Sequence, residues 1–360
     1  MTNTTMEKNI QNMSVKNTTN YATRKVSVAF SSINQIVETN VKKPIEKDNG
    51  EFVYWGEANL YPVYLYSLYQ ESPTLQAIIN GVVDYTAGNG MEDDDVEMEN
   101  LVRQMALSYA IYGGFALSIS RNRFGGIAKV TVLDMRYVRS NRENTQFFYS
   151  EAFARKWGRS QMIKLPKFDP EDKQQWESIY YVKTSNYSTV YPIPMYSAAV
   201  NSAECEKLIS DFHLNSIHNG FSSNVMVSIN GFPTDEEKSQ IEDAFNEKFT
   251  GSENAARPIL VFSQDKEHAP EIMKLDTDSF ADRYSTLSKK IQFDLFTAFR
   301  CNPNLMGIPT EGTGFSGEEY ENTFKLFNRF TIKPIQKLII NALSNIYENK
   351  EIAIKPFSMD

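Results

Sequence analysis

The chain has 360 residues, of which 41% are hydrophobic, and a net charge of −8. That length carries a sizeable core and two or three domains, while the acidity makes the chain a poor candidate for wrapping DNA, since gripping phosphates rests on Lys and Arg, and is equally explained by solubility. No run of 18 or more apolar residues exists, no hydrophobic signal core opens the chain, and the distant Cys205 and Cys301 make neither a disulfide framework nor a metal cluster, so a soluble protein made in a reducing cytoplasm is expected.

Asn and Thr crowd the first 20 residues and predict a mobile arm that orders on a neighbouring subunit. Residues 21–53 alternate weakly and leave room for a strand or two. Ser72 and Pro73 open a helix as N-cap and first-turn residue, with Leu75, Ile78, Ile79, Val82 and Val83 on its apolar face and Gly88, Asn89 and Gly90 closing it. A second helix over 96–112 follows the acidic run 92–95, which suits the positive end of a helix dipole. That run lacks the D-x-D-x-D-G spacing of a calcium loop, so its role is structural.

From Phe115 the period changes to two: Phe115, Leu117 and Ile119 share a side, Gly125-Gly126 turns the chain, and Ile127, Val130 and Val132 return. Further strands over 146–153 and 178–182 complete one antiparallel sheet covered by the helices. Arg136, Arg139, Arg142, Arg155, Lys156, Arg159 and Lys164, interleaved with Tyr137, Phe147 and Phe148, read either as a nucleic-acid patch or as strand edges and subunit contacts.

The prolines at 192 and 194 mark a boundary, after which a helix runs over 198–218. A compact insert follows: a strand over 225–229, a helix opened by Pro233 and the Thr234/Glu237 capping box, and a strand over 258–262. Residues 234–248 hold six acids and two lysines, a local balance of −4. An uninterrupted helix over 279–300 carries Phe280, Tyr284, Leu287, Ile291, Leu295 and Phe299 on one face, which predicts that this face is buried. The connector CNPNLMGIPTEGTGFSG stacks two prolines and four glycines. Ser316 and Glu319 cap a further helix with the stripe Tyr320, Phe324, Phe327, Thr331, Ile335, Leu338, Ala342 and Ile346. Pro334 lacks an N–H and its ring collides with the carbonyl of Phe330, so this helix is expected to bend there or break.

Three stretches resemble the portal proteins of tailed bacteriophages. One is IQFDLFTAFRCNPNLMGIPTEG with EEYENTFKLFNRFTIKPIQKLIINAL, similar to a long helix, a tunnel loop and a kinked helix. LSYAIYGGFALSISRNRFGGIAKVTVLDMRYVR looks like the strand-rich wing, and HNGFSSNVMVSINGFPTDEEKSQIEDAFNEKFTGSENAARPILVF looks like the clip. The resemblance implies an α+β fold: an N-terminal arm (1–50), a helix-plus-antiparallel-sheet wing (51–196), stem helices (197–220 and 276–301) flanking a small α/β clip (221–275), a tunnel loop (302–317) and a kinked helix (318–349). The last stretch, KEIAIKPFSMD over 350–360, is short for the helical crown of larger portals, which is expected to be reduced or absent.

By the same resemblance the chain is expected to form a ring, a dodecamer, at one capsid vertex of a virion assembled in the host cytoplasm. Double-stranded DNA would pass its channel on packaging and ejection. The implied partners are the major capsid protein and scaffold, the large terminase and a head–tail adaptor, with no membrane. Asn304, Ile308, Pro309, Thr310, Glu311, Gly312, Thr313, Gly314 and Phe315 are the implied channel lining, and Lys289 and Lys290 the channel face of the stem. Asp235, Glu236, Glu237, Glu242, Asp243 and Glu247 are the implied docking acids of the clip, and Pro334 the helix kink.

Catalytic residues, metals and cofactors are not expected. His213 and His218 stand about 140° apart around a helix, so they cannot share a metal as an i, i+4 pair would. GTGFSGEE has the glycines of a phosphate loop without its Gly-Lys-Ser/Thr. A DNA-processing enzyme and a different virion head–tail connector are the alternatives from other classes.

Overall fold

The computed structural model describes residues 44–154, 161–184, 189–218, 226–230, 234, 259–263, 278–308, 317–347 and 350–357. The expected arm therefore lies almost wholly outside the described residues. The fold is α+β. Its centre is a layer of three helices, α1 (Tyr61–Glu71), α2 (Pro73–Ala87) and α3 (Val96–Tyr112). Local chemistry sets their ends: the Ser72 hydroxyl accepts from the Leu75 N–H at 3.3 Å, and an Asp95 carboxylate oxygen accepts from the Met98 N–H at 3.0 Å. Gly113 closes α3 in the left-handed conformation (φ 82°), where an added Cβ would fall 2.2 Å from the Ile193 carbonyl oxygen. Leu65, Leu68, Leu75, Ile78, Ile79, Val82 and Met105 are buried and form the middle of the core.

The acidic run before α3 has the structural role expected of it, and its partners come from the end of the chain. Lys350 bridges to Asp95 at 2.6 Å and Asp93 at 3.2 Å, and Lys355 to Asp94 at 2.5 Å. The backbone of Ala353 and Lys355 is hydrogen-bonded to that of Glu92, Asn89 and Gly90.

The expected hairpin is β3 (Gly114–Arg121) with β4 (Ile127–Leu133), and β8 (Glu177–Lys183) adds to the far side of β3. The strands near 146 do not join them. In a second antiparallel sheet, β1 (Glu46–Asp48), β2 (Val53–Trp55), β5 (Val138–Ser140), β6 (Gln146–Tyr149) and β7 (Ile163–Pro166) lie in that order. One expected sheet is thus two, because strand partnership is set by non-local packing that a strand pattern does not encode.

The basic cluster is dispersed among the described residues. Arg139 is wholly buried in β5: its guanidinium donates to the Asn59 side-chain and backbone carbonyls, to the Val138 carbonyl at 2.7 Å and to the Arg136 carbonyl at 3.2 Å. Loss of solvent pulls its pKa down to about 10. Arg136 pairs with Asp134 at 2.5 Å and covers the Tyr66 ring, Arg142 pairs with Asp48, and Lys164 stands over Phe148. Arg155, Lys156 and Arg159 lie outside the described residues.

Two longer helices, α4 (Val200–His218) and α5 (Asp278–Ala298), pack on one another beyond this body. The strands between them, β9 (Met226–Asn230) and β10 (Ile259–Ser263), pair in parallel, which requires a crossover connection. The root of α4 is locked by Glu206. Its carboxylate sits at the N-terminus of α2, accepting from the Ser72 hydroxyl, the Thr74 hydroxyl at 2.5 Å and the Thr74 N–H at 3.2 Å. Lys207 adds an ion pair to Glu71 at 2.6 Å. Glu206→Ala strands these donors and is expected to destabilise the fold by about 1–3 kcal/mol. Urea unfolding should show a lower midpoint with an unchanged slope.

Candidate functional site

The block from α5 onward carries the residues of interest. Only its core end is buried on the predicted face: Ile291, Leu295 and Phe299 are buried, whereas Leu287 is 41% exposed. Further out, α5 packs on α4, with Tyr284 stacked on Phe212 at 5.4 Å and edge-on to His213 at 5.3 Å. Phe280's side chain lies outside what is described. Lys289 and Lys290 are on this outer stretch, both exposed, and Lys290 pairs with Asp294 at 3.3 Å.

After α5 the chain enters a short 3₁₀ turn, Pro303–Met306, capped by the Asn302 side chain, which accepts from the Asn304 N–H at 3.0 Å. This turn is held to α2. The Tyr85 hydroxyl donates to the Leu305 carbonyl at 2.8 Å, Leu305 is buried, and Met306 occupies the space that a Cβ on Gly81 would fill, 2.0 Å from its sulfur. Ile308 donates its N–H to the Pro303 carbonyl and packs on the core. Asn304 and Ile308, expected within a flexible lining, thus belong to an anchored root. Pro309, Thr310, Glu311, Gly312, Thr313, Gly314 and Phe315 lie outside the described residues, as do the docking acids Asp235, Glu236, Glu237, Glu242, Asp243 and Glu247.

The chain resumes as α6 (Gly317–Phe327) and runs into α7 (Lys333–Ile346) without a break. Between them Asn328–Ile332 is a π-helical turn, and the Lys333 N–H donates to the Asn328 carbonyl, five residues back. This wide turn immediately precedes Pro334, and it is how the helix passes a residue that cannot donate to Phe330. The predicted stripe is largely buried, at Phe327, Thr331, Ile335, Ala342 and Ile346, and Ile332, Ile339 and Leu343 are buried beside it. Gln336 ties α7 to α2 by donating to the Thr86 carbonyl at 2.9 Å. Tyr85 is ringed by Phe324, Phe327 and Phe357 at 4.8–5.7 Å.

The family model described as phage portal protein matches residues 93–354, well over half of the chain and inclusive of this whole block. The chain belongs to the phage portal protein family. Among solved structures, the portal-family chain is similar to one from the virion of a native gene transfer agent particle. The identity is 15%, the coverage 91% of this chain and 89% of that one, and the TM-score 0.51. A chain from the neck of a native gene transfer agent particle, computed with C12 symmetry, matches at 15% identity over 89% and 88%, with a TM-score of 0.51. No curated protein matches the sequence.

Among the described residues of this portal-family chain, no group of three or more His, Cys, Asp or Glu is placed to hold a metal ion, and no helix is long and apolar enough to cross a membrane. The two thiols differ. Cys205 is exposed on α4, while Cys301 lies beneath the α5–α6 junction, where burial pushes its thiol up to about 12. At pH 8 iodoacetamide is therefore expected to alkylate Cys205 in the native protein faster than Cys301, and the two at similar rates after unfolding, as peptide mass spectrometry would show.

Proposed function

We propose that this chain forms a ring at one vertex of a phage head, and that the ring's axial channel passes double-stranded DNA inward on packaging and outward on ejection. The observation that carries the reading is the anchored root at 303–308, inside the portal family match, with a segment rich in Pro and Gly directly after it. A loop fixed at its base and composed of Pro309, Thr310, Glu311, Gly312, Thr313 and Gly314 suits weak, adjustable contact with a moving polymer. Duplex DNA is helical while a ring is rotationally symmetric, so tight contacts could not be satisfied equally by every subunit.

The ring has twelve subunits in this proposal, supported by the C12 symmetry of the similarly folded neck chain. A heterologous contact that repeats by rotation closes into such a ring. Lys289 and Lys290 face the channel from the stem. The acids at 235–247 dock first the large terminase and later the head–tail adaptor, and the body of the protein faces the major capsid protein and scaffold. The chain acts without catalysis of its own, so the motor is another protein, and the assembled portal is a virion component built in the host cytoplasm.

Negative-stain imaging of the full chain tests the ring. Annular particles with an axial hole are expected, and solid particles would overturn the assignment. Gly312→Pro, or a shortened loop, is expected to impair DNA packaging or retention while rings still assemble. Normal packaging by both variants would remove the loop from the channel and favour a different head–tail connector role.

A further inference from the structure

The outward face of α6 and α7 is basic along its middle, in a chain that is acidic overall. Residues 322–347 hold Lys325, Arg329, Lys333 and Lys337 and no Asp or Glu, a local balance of +4 against −8 for the chain. All four cations are exposed. Lys325 pairs with Glu321 at 3.3 Å, and the other three have no carboxylate partner among the described residues; the Arg329 guanidinium stands 5.8 Å from the Phe330 ring.

Their spacing makes a ridge of them. Phe327, Thr331, Ile335 and Ile339, four apart, are all buried, and each cation precedes one of these by two residues, which is the opposite side of the helix. Four residues overshoot one α-helical turn by about 40°, so three such steps would carry Lys337 about 120° round from Lys325. The π-helical turn Asn328–Ile332 is wider and winds the chain back within the middle step. The cations therefore stay in line, about 6 Å apart along a ridge of about 18 Å. The turn that passes Pro334 is also what keeps these charges together.

A solvated helix face ordinarily mixes its signs, and elsewhere in this chain it does: on α3 Arg103 pairs with Glu99 and Asp84, and on α5 Lys290 pairs with Asp294. Like charges four apart on a helix repel one another, so a row of four with no acid between them is a pattern that folding alone disfavours. The ridge is not built as a protein contact either, because the centre of such a contact is apolar and depleted in Lys. Leu326 and Phe330 are exposed, but each follows a cation by one residue, about 100° round the helix, so the crest itself carries no apolar side chain. A straight row of cations with an uncharged backbone behind it fits a stiff polymer of evenly spaced negative charge, and duplex DNA carries about one charge per 1.7 Å of its axis. We infer that the outward face of α6 and α7 lies along the phosphate backbone of duplex DNA and contacts it without reading its sequence. The inference rests on the proposed passage of DNA and adds a contact outside the loop at 309–314. Exposed, salt-screened cations make a contact along which DNA slides, which suits a polymer that must move.

The test uses the full-length protein and a fluorescent duplex of arbitrary sequence, with binding read by anisotropy between about 50 and about 200 mM NaCl. Arg329→Gln, Lys333→Gln and Lys337→Gln combined are expected to lower the slope of log K against log salt by about 2.7 and to weaken binding at least about tenfold. Lys333→Arg with Lys337→Arg keeps the charge and should keep the slope. Each variant should have a native circular dichroism spectrum and, by mass photometry, the subunit count of the wild type. Unchanged DNA binding by the triple variant would overturn the contact. Loss of its rings would make the ridge a subunit interface, and tighter binding of the wild type to a single strand of equal length would assign it to a different ligand; either result also overturns the contact. Wild-type rings that bind no duplex even at about 50 mM salt would overturn it and leave the ring standing. Wild-type protein that never forms rings would overturn the ring, with the triple variant still deciding the ridge.

Discussion

The hydroxyl of Tyr85 is the point on which the second half of this molecule hangs. Leu305 lies in a turn between two helices, where its carbonyl is cut off from solvent and from any helical donor, and such a group must find a partner. Tyr85 supplies it from the middle of the core, and burial with its contact to Tyr320 raises its phenol pKa, so the donor stays protonated. Around that bond the rings of Phe324, Phe327 and Phe357 draw α6 and the end of the chain onto α2. The α5–α6 connection is thereby rigid at its base, whatever the segment beyond residue 308 does.

A fixed base has consequences at both ends. Upstream, α5 leaves the core at Ile291, and its outer half packs on α4, where Tyr284 meets the Phe212 and His213 rings. A two-helix extension of this kind has little buried area of its own, so its stability resides in its roots. One root is Glu206 at the dipole of α2, and the other is Phe299 stacked on Tyr196 at 5.5 Å. Downstream, the π-helical turn lets α6 and α7 run on past Pro334. A proline-broken rod would separate α6 from the buried stripe of α7 that supports it.

Much of this was legible because the signals are local. Ser72-Pro73 and Asp95 cap α2 and α3 as their types require, the Gly125-Gly126 hairpin is where the period-two pattern put it, and the stripe from Phe327 to Ile346 is the buried face of the last helix. α1 escaped notice: YPVYLYSLYQE has no side-chain N-cap and is crowded with tyrosines, which carry no strong helix period. The sheet partition and the burial of Arg139 were hidden for a different reason. An arginine is ordinarily a surface residue, and only the carbonyls of Asn59, Arg136 and Val138, brought together by folding, make its interior position tolerable. At the candidate site Asn304 and Ile308 read as loop from the sequence, because the anchoring of 303–308 comes from Tyr85 and Gly81, more than 200 residues away in the chain.

The exposed aromatics follow the same logic in reverse. A chain that buries Phe115, Phe147, Phe148 and Phe299 completely has ample means to hide Phe124, yet leaves it at the tip of a hairpin whose strands are otherwise well paired. Single exposed apolar residues are ordinary, but Phe124 and Trp176 share one tip, where Arg121, buried against the Phe168 ring, fixes the turn by donating to the Gly125 and Asp169 carbonyls, so the tip is a held element and not a frayed one.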